Sequence, residues 1–316
     1  MPKVSIIIPA YNAERFLGET IKSALRQTFV DFEMIIVDDG STDKTQPIAE
    51  EFVKQDPRIQ YIYQKNQGHA VCRNTGLRKA IGEYTAFLDA DDIWLPTKLE
   101  KQITLLESEK DLGMVHSARI RIDHLGNELP TSYGNSEYRS GMIFYNLLLR
   151  KAQVCTSTVV CRKSVLDEVG YFDETFPDRI GGEDRELWLR IARRFEIAYI
   201  QEPLVKYRYL KSSLSRSRKK ETFLRGRFHV IDKSLNDEPQ ILKKNFLKRL
   251  AYSSVYREMI YAELEVNNLK DAIRHCRKAI VYFPLNLKLY GQYLVLMFRL
   301  MNRGGFITLF CHSRML

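Results

Sequence analysis

The sequence has little of what a disulfide scaffold, a zinc module or a membrane-spanning helix requires. Five cysteines stand among 316 residues, too few and odd in number for a disulfide framework. No CxxC pair occurs, and Cys155 and Cys161 lie six apart in an apolar stretch, so reduced core thiols of a cytosolic protein are expected. The opening "MPKVSIIIPAYN" has only a short apolar run before Pro9, too short to be read as a signal peptide. The longest uncharged run near the other end before Arg299, "LYGQYLVLMF", has ten residues, against about 20 for a spanning helix. No GxGxxG follows the first apolar run, and no GxxxxGK[ST] is present. A glycine-rich turn that lets backbone approach a pyrophosphate is therefore missing. If a nucleotide diphosphate binds, its charge must be met by metal and side chains.

What the sequence does have is a large apolar fraction, 45%, enough for a substantial core. Its length suits one large domain with an appendage. The net charge of +10 is unevenly spread. Residues 1–205 carry 26 Lys+Arg and 31 Asp+Glu, whereas residues 206–316 carry 23 and 8. Such asymmetry points the C-terminal part towards an anionic surface, nucleic acid or acidic lipid. That part has no zinc, RRM or KH pattern, so no nucleic acid is expected.

Four short apolar runs read as buried strands: "VSIII" (4–8), "EMIIVD" (33–38), "IQYIY" (59–63) and "YTAFLD" (84–89). Helical patterns alternate with them. Phe16, Leu17, Ile21, Ala24 and Leu25 share one face; a second helix follows "DGST", with Pro47 near its first turn; a third runs through "AVCRNTGLRKAIG" to about Gly82. This alternation predicts a mostly parallel, doubly wound α/β sheet. Further along, "GMVHSARIRID", "VCTSTVVC" (154–161), "EIAYIQ" and "VKYRYL" read as strands and "EDRELWLRIARRF" (183–195) as a helix. Beyond about 220 only amphipathic helices remain. The spacing of Tyr256, Ala262, Ala272, Ala279 and Pro284 suits one tetratricopeptide-type hairpin.

Ligands of doubly wound sheets sit beyond the carboxyl ends of the strands. Three polar clusters fall there: "PAYN" (9–12), "DDGSTD" (38–43) and "DADD" (89–92). Each alone could be an ordinary turn. Together they suggest a site. Asp89 and Asp91, at i and i+2, are expected to point the same way at a strand end, with Asp92 turned elsewhere to cap or orient. Their oxygen donors suit a hard cation, Mn²⁺ or Mg²⁺, which would bridge protein carboxylate and diphosphate.

The segments "VSIIIPAYN", "EMIIVDDGSTDKT", "NQGHAVCRNTGLRKAIGEYTAFLDADD" and "GGEDRELWLRI" together resemble the family 2 glycosyltransferases of the GT-A fold. The resemblance covers roughly residues 3–215. It implies a Rossmann-like catalytic domain at 1–215 with helices on both faces of its sheet, followed by a basic helical region at 216–316. It also implies roles. Pro9, Ala10 and Tyr11 would wall the nucleotide base, and Asp39 would accept a hydrogen bond from it. Arg73 would reach the nucleotide, with Asn74 fixing its loop. Asp89 and Asp91 match the DxD motif, Asp89 near the ribose and Asp91 on the metal. Asp184, with Glu183 as neighbour or substitute, would be the general base that takes the acceptor's proton. Helix capping by the same two acids is the plainer alternative. Glu186 stands where the family often has Asp. Leu210 stands where it often has His after "YR", and Lys211 or Arg208 would then face the phosphates instead.

The implied activity is inverting, metal-dependent transfer of a sugar from a nucleotide-diphosphate donor, a UDP-sugar first, to a hydroxyl of a glycan or lipid-linked oligosaccharide in surface polysaccharide synthesis. A nucleotidyltransferase and a basic nucleic-acid-binding protein are the alternatives left open. Acceptor recognition is assigned to 129–150 and 171–180. The expected location is the cytoplasm, with docking at the inner face of an anionic membrane through Leu294, Phe298, Phe306 and Phe310 among basic residues.

Overall fold

The structure is a computed structural model that describes residues 1–130, 140–176, 181–210, 220–236 and 238–301. The chain forms two compact units, Met1–Ser234 and the remainder from Leu235. In the first unit the elements run β1 (Val4–Ala10), α1 (Leu17–Leu25), β2 (Phe32–Asp38), α2 (Thr45–Gln55), β3 (Ile59–Tyr63), α3 (His69–Lys79), β4 (Tyr84–Phe87), β5 (Ile93–Trp94), α4 (Lys98–Ser108), β6 (Leu112–Ile122), α5 (Phe144–Leu148), β7 (Val160–Arg162), α6 (Lys163–Val169), α7 (Glu183–Arg194), β8 (Glu196–Arg208) and α8 (Lys220–Ser234). Lys233 of α8 is paired with Asp173 at 2.7 Å and Glu186 at 3.0 Å, which ties that helix to the first unit.

One sheet of eight strands runs in the order β3-β2-β1-β4-β7-β6-β8-β5. The strands β3, β2, β1 and β4 are parallel neighbours, and β6 and β8 are parallel as well. β7 is antiparallel to β4 and β6, and β5 to β8. Every residue of β1 and β2 is buried, as expected of near-continuous apolar runs covered on both faces. Val4, Ile6, Ile8 and Ala10 pack with Leu17, Ile21 and Ala24 of α1 and Leu99, Ile103 and Leu106 of α4. Ile7 points the other way, towards α3. A Cβ on Gly76 of α3 would stand 2.6 Å from its Cγ2, so that helix lies directly on the strand because the residue is glycine. The polar pair inside these strands is satisfied: Ser5 donates to Glu33 at 2.6 Å, and Glu33 also accepts from the Ile81 amide at 2.8 Å.

Three expectations need correction. The segment "VCTSTVVC" is not one strand. Thr156–Thr158 form a 3-10 turn before β7, because the Thr158 hydroxyl donates back to the Cys155 carbonyl at 2.7 Å and Ser157 bonds Asp92. "EIAYIQ" and "VKYRYL" are one strand, β8, which absorbs Pro203 through register shifts against β6 around Ala118. The fourth strand ends at Phe87, two residues before Asp89.

His116 in β6 is fully buried, with its ring 5.0 Å from that of Tyr199. Burial first, and Arg119 second, push it down to about 3. The unfolded chain takes up a proton near pH 6.5 that the folded chain refuses until about pH 3. Stability is therefore expected to rise with pH across that window, by up to about 1.4 kcal/mol per pH unit. His116→Gln should flatten the slope of unfolding free energy between about pH 4 and 6, read by urea titration. An unchanged slope would assign the acid sensitivity to other groups.

The second unit contains α9 (Ile241–Glu265), α10 (Leu269–Tyr282) and α11 (Leu287–Met301). Asn267, with φ of 58°, turns the chain, and the Asn268 side chain caps α10 by accepting from the Asp271 amide at 3.3 Å. Tyr256, Ala272 and Ala279 are buried between α9 and α10, while Ala262 is exposed. Tyr256 stacks on Tyr282 at 5.6 Å, and Ser253 donates to the Ala279 carbonyl at 2.9 Å. Among the described residues no helix is long and apolar enough to cross a membrane.

Candidate active site

The loops that follow β1, β2 and β4 meet at one edge of the sheet. Pro9 and Ala10 are buried at the end of β1, and Tyr11 stands beyond them, 49% exposed. The Ala10 carbonyl accepts from the Asp39 amide at 2.8 Å. The β1 and β2 loops are then stitched together: the Asn12 amide donates to Ser41 at 2.9 Å, the Ala13 amide to Thr45 at 2.7 Å and the Glu14 amide to Asp43 at 3.0 Å. Asp38, fully buried, accepts from the Ser41 amide at 2.8 Å and the Tyr61 hydroxyl at 2.8 Å. Much of "DDGSTD" is thus a scaffold. Asp39 itself accepts from Gln64 at 2.7 Å and from the amides of Gln67 and Gly68 at 2.8 and 2.7 Å. It ties the loop at 64–68 to β2, a role not foreseen for it. A carboxylate has about four acceptor sites, so these bonds leave one direction for a further donor.

Asp89 follows β4 by two residues. Its amide donates to Ser157 at 3.1 Å, and its carboxylate accepts from Arg73 at 2.8 Å. Burial, and then the charge of Asp89, push the Asp91 carboxyl up to about 6. Asp92 does not face out at all. It is fully buried, and accepts from the Ser157 hydroxyl at 2.5 Å and the Arg208 amide at 2.8 Å. Burial, with the charges of Asp91 and Asp89 added, raises its pKa well above the usual carboxylate range. The acid expected to turn elsewhere and cap or orient is a structural pin.

Arg208 completes the clamp on this loop. Its guanidinium donates to the Asp91 carbonyl at 2.9 Å, the Asp123 carbonyl at 3.2 Å and the Glu19 carboxylate at 2.6 Å, over the ring of Phe16. These contacts hold it inside the protein, so the expectation that it faces the phosphates needs another side chain. Lys211, the other candidate, lies outside the described residues, as do residues 131–139 and 177–180 of the segments assigned to the acceptor.

Arg73 occupies the centre. Nearly buried on α3, it donates to Asp89 at 2.8 Å and to Glu183 at 3.2 Å, with its guanidinium 5.5 Å from the Phe172 ring centre. Burial works against its charge, but Asp89 and Glu183 outweigh it and raise the pKa further. The neighbouring Asn74 donates to the Phe172 carbonyl at 2.8 Å and accepts from the Phe172 amide at 3.0 Å, which fixes the ring. Sequence reading passed over His69. It opens the same helix, and burial first, then Arg73, hold its pKa down, with Glu183, Asp89 and Asp39 acting in the opposite sense. Its i,i+4 spacing to Arg73 was the available signal.

The acids of "GGED" are presented by backbone that L side chains rarely adopt. Gly181 and Gly182 have φ of 72° and 107°, and α7 begins at Glu183. Glu183 goes to Arg73. Asp184 accepts from Thr156 at 3.3 Å and from the Arg185 amide at 2.7 Å. Glu186 points inward, nearly fully buried, and is held by Arg190 at 2.9 Å and Lys233 at 3.0 Å. Its contacts tie α7 to α8.

Among the described residues no three His, Cys, Asp or Glu side chains converge to hold an ion. Asp89 and Asp91 still fit a divalent cation. They are hard oxygen donors whose mutual repulsion helps raise Asp91, and Mg²⁺-type ions are commonly held by one or two carboxylates, the rest of the shell being phosphate and water.

Comparison with known proteins agrees with this geometry. The pattern of Glycosyl transferase family 2 matches residues 5–170. Glycosyltransferases of Rickettsia bellii, R. conorii and R. felis are between 36% and 38% identical over 208 residues, 65% of this chain; the chain spans only about a third of their length, 29% to 33%. WfgD of Escherichia coli, a UDP-Glc:alpha-D-GlcNAc-diphosphoundecaprenol beta-1,3-glucosyltransferase, is 34% identical over 232 residues, covering 69% of this chain and 81% of WfgD. The structure of S. aureus TarS 1–349 with UDP-GlcNAc matches at a TM-score of 0.65 and 18% identity, over 88% of this chain and 81% of that one. The mannosyltransferase PcManGT of Pyrobaculum calidifontis, solved with GDP-Man and Mn²⁺, matches at 0.56 and 19%, over 95% and 85%. At those identities the two structures establish a shared fold, the GT-A fold. With its acids, arginine and left-handed glycines arranged on that fold, and the family pattern running over more than half its length, the chain belongs to glycosyl transferase family 2.

Proposed function

We propose that the chain is an inverting glycosyltransferase that moves a sugar from a UDP-sugar to a hydroxyl of a lipid-linked or surface glycan. The observation that carries this is the Arg73 bridge between Asp89 and Glu183. It brings the acids that would receive the donor beside those that would receive the acceptor. The WfgD relative, with its UDP-glucose donor and diphosphoundecaprenol-linked acceptor, supports the choice of donor and acceptor class. The UDP-GlcNAc complex of TarS supports a uridine donor.

In this reading Pro9, Ala10 and Tyr11 flank the base, and Asp39 offers its remaining acceptor site to it. Asp184 takes the proton of the acceptor hydroxyl as that oxygen bonds to the anomeric carbon. The bond from that carbon to the diphosphate oxygen breaks on the opposite face, so the centre inverts. Glu183 stays paired with Arg73 and sets the position of the helix start beside Asp184. A Mn²⁺ or Mg²⁺ ion held by Asp91, with Asp89, would supply positive charge to the leaving diphosphate. The site faces the cytoplasm, where the donor would be met.

The test is a nucleotide-release screen over UDP-, GDP- and dTDP-sugars with Mn²⁺, with and without a polyprenyl-diphosphate sugar acceptor. Release of UDP that rises with acceptor is the expected result. Release from GDP-sugars alone would replace the uridine assignment. No release from any donor would overturn the reading.

A further inference from the structure

We propose that the outer face of α11 is a docking surface for an anionic lipid bilayer. The helix has two unlike faces. Leu289 and Leu296 are buried, and the Leu289 carbonyl lies 3.4 Å from the Cys276 thiol of α10. On the other side Leu287, Tyr290, Leu294, Val295, Phe298 and Met301 are between 41% and 79% exposed. At 100° per residue these six fall within an arc of about 140°. Scattered apolar residues on a surface need no account, but a continuous stripe of six marks an interaction site.

Charge selects the occupant. α11 contains no acid, and its two bases, Lys288 and Arg299, fall together at one margin of the apolar arc. Residues 269–301 contain six Lys+Arg and one acid, Asp271, which is paired with Arg274 at 3.1 Å. Two copies packed antiparallel through this stripe about a twofold axis would bring the same bases against each other. A bilayer with anionic headgroups meets both features at once: the apolar arc enters the interface while Lys288 and Arg299 extend their stems along it to the phosphates. At 15 residues the helix lies in the plane of the surface and does not cross it. Phe306 and Phe310, expected from sequence to take part, are outside the described residues. The docking does not depend on the sugar-transfer reading. Its use does: an enzyme that extends a lipid-linked acceptor works where that lipid is.

The experiment is co-sedimentation of the full chain with vesicles of phosphatidylcholine, alone or mixed with phosphatidylglycerol, at low and physiological salt. Binding to the mixed vesicles, weakened by salt, is expected. The exposed pair Leu294→Asp with Phe298→Asp should reduce it at least about tenfold, and Lys288→Glu with Arg299→Glu should remove its dependence on phosphatidylglycerol. Circular dichroism checks that each variant folds, and nucleotide release in free solution should be unchanged. Recovery in the supernatant under every condition would overturn docking, as would vesicle binding indifferent to both variants. A dimer that the Asp variants dissociate, without vesicle binding, would assign the stripe to a second copy. Vesicle binding without donor turnover would leave the docking standing and remove only the catalytic reading.

Discussion

Asp184→Asn is expected to lower sugar transfer by about 10²–10⁴-fold while UDP binds as tightly as before. The asymmetry follows from where the two acids of the pair go. Glu183 is tied to Arg73, and a carboxylate already matched with a guanidinium gives little by taking a proton. Asp184 is held by a long bond from Thr156 and by the amide of its own helical neighbour. That orients it, in the first turn of α7, outside the ion pair that holds Glu183. Asn keeps the shape and the contact with the Arg185 amide, and its NH2 would donate to the Thr156 hydroxyl where the carboxylate accepted from it, but it cannot accept the proton. The checks are initial rate with the acceptor and UDP affinity by calorimetry. Glu183→Gln should act differently, by loosening Arg73 and weakening donor binding. An inactive Glu183→Gln beside an active Asp184→Asn would exchange the two roles.

Asp91→Asn is expected to abolish the dependence of UDP binding on Mn²⁺ and to reduce transfer by at least about 10²-fold. EDTA should have the same effect on the unaltered chain, reversibly. The fold should tolerate the change. Burial and Asp89 raise the Asp91 pKa to about 6, so above that pH its charge opposes folding. Removing it should leave the thermal midpoint unchanged or higher in metal-free buffer. Lost metal response together with kept or raised stability is the signature of a ligand held in readiness. A lower midpoint with metal-dependent binding intact would make Asp91 structural, and full activity in EDTA would remove the metal from the reading.

What was legible in the sequence was local. β1 and β2 are near-continuous apolar runs; their burial followed from those runs and their parallel pairing from the helical patterns between the strands. Asp39, Asp89 and Asp91 stood out because each follows an apolar run, whereas Glu183 and Asp184 stood out only through the family resemblance. Asp92 was expected to turn elsewhere and cap or orient, but which groups it holds was not legible, because Ser157 and Arg208 are 65 and 116 residues away. The β8 strand was split in two because Pro203 ordinarily interrupts a ladder, whereas the shifted register against β6 accommodates it. Thr156–Thr158 read as strand by residue type, yet hydroxyls that find local acceptors favour a turn.

Arg73 has a consequence for how substitutions combine. One cation is shared by Asp89, 16 residues further along the chain, and Glu183, 110 residues further. Removing either carboxylate leaves the guanidinium to the other, in a place too dry for water to compensate. The losses from the two single changes therefore will not sum to the loss from both. A double-mutant cycle across the bridge measures the coupling directly. The loop after β4 and the start of α7 are in this respect one thermodynamic unit, and a ligand that alters the charge at Asp89 is felt at Glu183.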